Sequence, residues 1–194
     1  TALLIAKNLS NKYDIPWVAE LRDLWVDNHY IRHPFWRKIC DLYLEKKTLS
    51  TAEFLVTVST PLKQILLNKF NSQVSIVQNG FDKHDYLPTR KFHKNKFIIS
   101  HTGNLYQGKR DPTPIFKAIS RLKEKYNIQL NFYGRNLSFL QNSIHNFNLQ
   151  SVVKIHNEIS YTNSLKIQQN SDLLLLLLWN SKNELGVYSG KLFE

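Results

Sequence analysis

The chain has 194 residues, 42% hydrophobic and 21% charged, which excludes a disordered chain and leaves enough apolar matter for a sizeable core. With 26 basic residues against 15 acidic ones the net charge is +11, so anionic partners are indicated: nucleotide phosphates, an acidic lipid surface or nucleic acid. The single cysteine, Cys40, excludes an internal disulfide and fits a reducing, cytoplasmic compartment, and neither a signal peptide nor a membrane-length apolar run is present.

In chain order, Ala2 to Tyr13 carries Leu3, Leu4, Ala6 and Leu9 at helical spacing. Pro16 to Leu21 reads as a strand that delivers Arg22-Asp23 at its C-terminal end. Pro34 opens a helical pattern with Phe35, Trp36, Ile39, Leu42, Tyr43 and Leu49 on one face, and Arg37, Lys38, Glu45 and Lys46 largely elsewhere. Phe54 to Val58 is a β-branched, aromatic strand. Ser59-Thr60-Pro61, a capping hydroxyl followed by proline in the first turn, starts a helix to about Phe70. Val74 to Val77 is a short strand, and Asn79-Gly80-Phe81-Asp82 is the sharpest turn signal in the chain. The polar, basic stretch His84 to Lys96 follows, so the boundary between two units is placed at this turn.

A second strand–helix series comes next. Strands are expected at Phe97–His101, Ile128–Tyr133 and Val152–Ile155, with helices at Pro112–Tyr126, Leu137–Asn146 and Tyr161–Gln169. Six leucines, Leu173 to Leu178, capped by Trp179, are far too few to cross a bilayer and read as a strand buried on both faces. Strands alternating with helices of this length predict parallel α/β sheets.

Four stretches carry candidate chemistry. Asn180 to Gly186 and Ser189-Gly190 break the chain before Lys191 opens a helix, an order that presents backbone N–H groups to a phosphate; an ordinary connection is the alternative. Thr102 to Pro112 sits at a strand's C-terminal end, with Gly103 and Gly108 for close backbone approach. There Lys109 or Arg110 would neutralise a diphosphate, against the alternative of a solvated basic face. Arg22 and Asp23 stand at another strand end, either as site residues or as a pair holding a loop with Trp25 as packing. Tyr133-Gly134-Arg135 ends a third strand, with Arg135 as a ligand contact or a surface side chain. His29 and His33 stand four apart without a matching acidic or cysteine ligand, so no metal site is read.

The segment GVYSGKLFE after the leucine run resembles the donor-site signature of the retaining GT-B glycosyltransferases of the glycogen-synthase-like class, most closely the bacterial surface-polysaccharide branch. The resemblance implies two Rossmann-like domains, both incomplete here. Residues 1–78 would be the later part of the acceptor-side domain and 79–194 the nucleotide-sugar-binding domain. Asn79 to Asp82 is similar to the sequence at which that family crosses between domains. In the family the loop amides hold the donor diphosphate, a role that falls on Gly186, Ser189, Gly190 and Lys191, and a glutamate one turn into the helix bonds the ribose, which Glu194 matches. Where the family often has a second glutamate eight residues earlier, this chain has Gly186, with Glu184 two positions away.

The family also has a glycine after its first C-domain strand and basic residues downstream, matching Gly103 with Lys109 or Arg110; its frequent arginine after that glycine is Asn104 here. Gly134 matches a glycine near the nucleotide base. Arg22 stands where many relatives have a donor-contacting histidine, and the Arg22-Asp23-Leu24-Trp25 pattern resembles the polysaccharide branch, with Arg22 and Asp23 facing the cleft. The implied reaction moves a sugar from a nucleotide-diphosphate sugar to a glycan or lipid-linked acceptor with retention, without a metal, a cofactor or a protein nucleophile. The implied setting is cytoplasmic, with peripheral contact to an anionic membrane surface admitted. The alternatives are a nucleotide-sugar epimerase of the same fold and a basic nucleic-acid-binding protein. The chain has no methionine, opens inside a helical pattern and stops as a helix begins, so a fragment that lacks transferase activity on its own is expected. The loops after His101, Tyr133 and Trp179 are expected to converge.

Overall fold

The computed structural model describes residues 2–28, 33–85, 95–179, 186 and 188–193. The chain divides into two compact units, residues 1–80 with 182–193, and residues 81–181.

The first unit holds α1 (Ala2–Tyr13), β1 (Val18–Leu21), α2 (Phe35–Leu49), β2 (Phe54–Thr57), α3 (Thr60–Lys69) and β3 (Gln73–Ile76). Its strands run parallel in the order β1-β2-β3, with Leu21 opposite Thr57 and Thr57 opposite Ile76. Ala19, Leu21, Leu55 and Val74 point from the sheet into a core closed by Leu49, Leu62, Leu66 and Phe70. Helix α3 starts where the sequence places it. The Ser59 side chain accepts the Leu62 N–H (3.4 Å), and Pro61 occupies a position whose N–H would have no partner inside the helix.

Helix α2 packs in the opposite sense to its pattern. Of the apolar face read from the sequence only Leu49 is buried, together with Thr48 and Glu45. Glu45 is 2% exposed and fully engaged: it accepts the Val26 N–H (3.2 Å) and pairs with Lys69 (2.9 Å), which also pairs with Asp27. Burial alone would lower the Lys69 pKa, but its hydrogen bonds to Asp27 and Glu45 outweigh that and hold it above the usual lysine value.

The second unit holds β4 (Phe97–Thr102), α4 (Thr113–Leu122), β5 (Ile128–Tyr133), α5 (Leu140–Asn146), β6 (Val153–His156), α6 (Tyr161–Gln169) and β7 (Leu173–Leu174). All strands are parallel, in the order β6-β5-β4-β7. That is the 3-2-1-4 start of a doubly wound sheet, whose order reverses between β4 and β7, the place where such sheets bind ligands beyond their strand ends. Phe116 and Phe132 meet edge to face in the core (centroids 6.0 Å), surrounded by Ile119, Leu130, Leu140 and Leu149.

The leucine run corrects the sequence reading. It is parallel to β4, with Leu173 and Leu174 in register and the Leu175 N–H donating to the Ser100 carbonyl (2.9 Å), but among the described residues it forms the sheet's edge, and Leu173 and Leu174 are 42% and 51% exposed. Further along, only Leu175 and Leu177 lean on the core. Burial on both faces needs a layer packed over each side of the sheet, and at Leu173 and Leu174 neither face is fully covered. Register is fixed at its entry. The Asp172 N–H donates to the Ile98 carbonyl and its carboxylate accepts the Ile98 N–H, each at 2.8 Å. The Ser171 hydroxyl bridges the Ser100 hydroxyl and the Ile167 carbonyl, both at 2.7 Å.

Candidate functional site

Two loops of the second unit meet beyond the C-terminal ends of β4 and β5 and cross at a pair of glycines. Gly103 has φ +120°, closed to residues with a side chain, and its N–H donates to the Tyr133 carbonyl (2.7 Å). A Cβ on Gly134 would lie 2.5 Å from the Gly103 carbonyl oxygen, so the two loops touch through bare backbone. Asn104 tightens the crossing, as its side-chain oxygen accepts the Arg135 N–H (3.1 Å).

The loop from Gly103 to Asp111 folds back on itself through bonds from the Lys109 and Arg110 N–H groups to the Tyr106 carbonyl (2.9 and 3.2 Å). Asp111 anchors its far end. Its carboxylate accepts from Thr113 at the head of α4, through the side chain and the backbone N–H (2.9 Å), and these bonds hold its pKa below the usual carboxylate range. Tyr106 stacks on Trp179, the residue that closes the leucine run (centroids 6.4 Å, 16° between planes). Lys109 lies over the Trp179 ring at 4.7 Å and Arg110 over the Tyr106 ring at 5.5 Å, a ladder of two cations and two aromatic faces. One Arg110 nitrogen donates to the Asn104 carbonyl (3.0 Å), while its enclosed Nε has no acceptor among the described residues. An enclosed donor without a partner costs about 1–3 kcal/mol, so an anion drawing this guanidinium toward itself relieves a penalty as well as gaining a contact.

Beside this ladder Tyr133 stacks on His156 (4.3 Å, 10°), and the His156 Nε2 lies 3.1 Å from the Asn131 side-chain oxygen. Burial raises the Tyr133 pKa, and burial followed by repulsion from Lys154 lowers that of His156, so the ring is neutral near pH 7. Arg135 pairs with Glu158 on the surface, in line with the reading of it as a surface side chain.

Gly103, Asn104, Lys109, Arg110 and Gly134 therefore lie together in the loops after β4 and β5, with Trp179 stacked against the first of them; the loop expected after Trp179 begins outside the described residues. The other candidates fall in the first unit. Arg22 follows β1 and pairs with Glu20 (2.9 Å), both exposed, so the Arg22–Asp23 pair of the sequence reading is replaced by Arg22–Glu20; Asp23 is exposed beside it. Gly186 has φ +76° and sits against Ser59 and Pro61 at the head of α3. The Asn79 amide reaches the Tyr188 carbonyl (3.5 Å). Ser189, Gly190 and Lys191 lie in or beside one short 3₁₀ turn, Gly190–Leu192, and not in an opened α-helix. Glu194, Glu184 and His29 lie outside the described residues, and His33 lies 3.9 Å from Asp41. Sequence reading assigned no role to Tyr106, Trp179 or His156. An aromatic residue at a strand's C-terminal end beside a Lys-Arg pair was the available signal.

The sequence matches no protein-family profile and no curated protein. Solved structures do match in fold. The lipopolysaccharide outer core galactosyltransferase WaaB, in its apo form, superposes with TM-score 0.58 and 16% identity over 91% of this chain and 47% of that one. TarM matches with TM-score 0.57 and 13% identity over 84% of this chain and 32% of that one. A variant of S. aureus TarM in complex with Fondaparinux, alpha-GlcNAc-glycerol and UDP matches with TM-score 0.53 and 15% identity, over 70% and 27%. The chain thus spans less than half the length of each of these structures, and within that span it has the parallel α/β fold of the GT-B glycosyltransferases.

Proposed function

We propose that this chain belongs to a glycosyltransferase that moves a sugar from a nucleotide-diphosphate sugar to a glycan or lipid-linked acceptor, with retention of configuration, in surface-polysaccharide synthesis at the cytoplasmic side of a membrane. The supporting observation is the placement of a bare-backbone crossing, Gly103 against Gly134, beside Arg110 and Lys109 at the reversal of strand order. In this reading the donor diphosphate lies over the two glycines, where no side chain intrudes. Arg110 takes a phosphate oxygen with its planar, permanently charged head, and Lys109 supplies a second charge from above Trp179. As the bond to the sugar breaks, charge grows on the leaving phosphate, and fixed cations stabilise it without a metal. The phosphate oxygen then takes the acceptor's proton on the face it leaves, which gives retention without a protein nucleophile. Arg22, Asp23, Gly186, Ser189, Gly190, Lys191 and Glu194 remain proposed contacts of the complete site.

UDP, the nucleotide in the TarM complex, is the first ligand to titrate, by calorimetry. Arg110→Ala is expected to weaken binding by roughly tenfold or more, the worth of a charged hydrogen bond, and Lys109→Ala by less. Stacked aromatics with flanking cations also suit single-stranded nucleic acid, so an oligodeoxythymidylate is titrated beside it. Tighter oligonucleotide binding, or UDP binding that Arg110→Ala leaves unchanged, would overturn the reading.

A further inference from the structure

Helix α2 shows water the residues a soluble helix hides. Phe35 is 80% exposed, Trp36 68%, Tyr43 64% and Ile39 52%. Positions 35, 39 and 43 recur at the four-residue spacing of one helix face, with 36 beside them. The helix's two carboxylates point away from that face: Glu45 is buried on Lys69 and the Val26 N–H, and Asp41 is held by Arg37 (3.6 Å) and His33. Lys46 and Lys47 continue the exposed face one turn on, with the Lys47 ammonium 5.8 Å from the Tyr43 ring centre, and Lys38 is exposed at its flank. The outcome is an aromatic and aliphatic patch edged by lysines, with the acidic groups turned inward.

Contiguous exposed apolar surface of this kind marks an interaction face. Its charge decides the occupant. A second copy of the same face would set lysines against lysines, which opposes self-association. An anionic bilayer complements both halves of the pattern: phosphates for the lysines, and the boundary between headgroups and acyl chains for tryptophan, tyrosine and phenylalanine. Among the described residues no helix is long and apolar enough to cross a membrane, so the mode of contact is lateral. We propose that α2 is a docking helix that lies on an anionic lipid surface, with Phe35, Trp36, Ile39 and Tyr43 among the headgroups and Lys38, Lys46 and Lys47 against lipid phosphates. This stands independently of the nucleotide-sugar reading.

Cys40, the chain's only thiol, is exposed on α2 and reports on the contact directly. The 194-residue chain, labelled there with an environment-sensitive fluorophore, is mixed with vesicles of phosphatidylcholine alone or with phosphatidylglycerol added. The expected result is a blue shift with anionic vesicles only, reversed by salt. In co-sedimentation of unlabelled chain, Phe35→Ser with Trp36→Ser should cut partitioning at least roughly tenfold. Lys46→Gln with Lys47→Gln should cut it by about fivefold per charge. Lys117→Gln with Lys125→Gln, exposed in the second unit, should leave it unchanged; circular dichroism checks that every variant is folded. Equal loss from the second-unit pair would reduce the effect to overall charge and overturn the proposal. So would partitioning indifferent to the Phe35/Trp36 change, or a dimer abolished by that change in a chain that ignores vesicles.

Discussion

Substituting alanine for Gly134 tests whether the crossing of the β4 and β5 loops is as tight as its geometry. The new Cβ would stand 2.5 Å from the Gly103 carbonyl oxygen and 3.0 Å from its carbon, against 3.4 Å or more for an ordinary contact. The backbones must therefore part by about 0.9 Å, and both neighbours are main chain, which has no rotamer to turn away. Overpacking of this kind costs about 1–3 kcal/mol. The shift also strains two bonds that span the crossing, Gly103 N–H to Tyr133 at 2.7 Å and Arg135 N–H to Asn104 at 3.1 Å, each worth about 1 kcal/mol. Together about 2–4 kcal/mol of the second unit's stability is at stake, which for a unit of this size lowers its melting temperature by roughly 10 °C or more. Thermal unfolding followed by near-ultraviolet circular dichroism measures this, and UDP calorimetry on the folded variant measures the effect on the site. A variant that melts within about 1 °C of the parent would refute the reasoning, since a clash costing as little as 0.5 kcal/mol already shifts the midpoint further than that.

Two further outcomes follow from buried ionisable groups. Glu45→Ala should destabilise the first unit by about 2–3 kcal/mol in urea titration, below the 3–5 expected for a wholly stranded partner, because Lys69 keeps Asp27. His156, with its pKa depressed by burial and Lys154, takes up its proton more readily unfolded than folded, so the second unit should lose stability as pH falls below about 6.5. His156→Gln should flatten that dependence between about pH 7 and pH 5 in paired thermal melts.

Local chemistry made most of the fold legible. Ser59 and Pro61 started α3 because capping is settled within four residues, and the alternation of strands and helices gave two parallel sheets. Properties set by distant partners were not legible. Six identical leucines have no period, so their burial depended on what packs over each face of β7. The apolar face of α2 named the correct residues, but periodicity does not say which way a face turns, and the Lys69–Glu45 pair, 24 residues apart, turned it outward. Arg22 chose Glu20 over Asp23 because side chains two apart on an extended strand share a side, whereas adjacent ones diverge. In the candidate site Gly103, Lys109 and Arg110 could be read from a glycine loop after a strand, whereas the Tyr106–Trp179 stack joins residues 73 positions apart and needed the fold.

The open edge at the leucine run bears on the order in which the second unit assembles. Ile99 meets Leu173 across 74 residues, so this contact closes a longer loop than any other strand pairing in the sheet and should form late. Until then a run of leucines with high hydrophobicity and no charge is available to other chains, the kind of segment that seeds intermolecular strands. Synthesis from the N-terminus limits that interval. Strands β4, β5 and β6 leave the ribosome first, and the leucines emerge to find β4 already in place, with the two-point clasp of Asp172 on Ile98 to guide them onto it. Refolding from denaturant removes that order and exposes the run from the start, so aggregation should compete more strongly on dilution from urea than during translation.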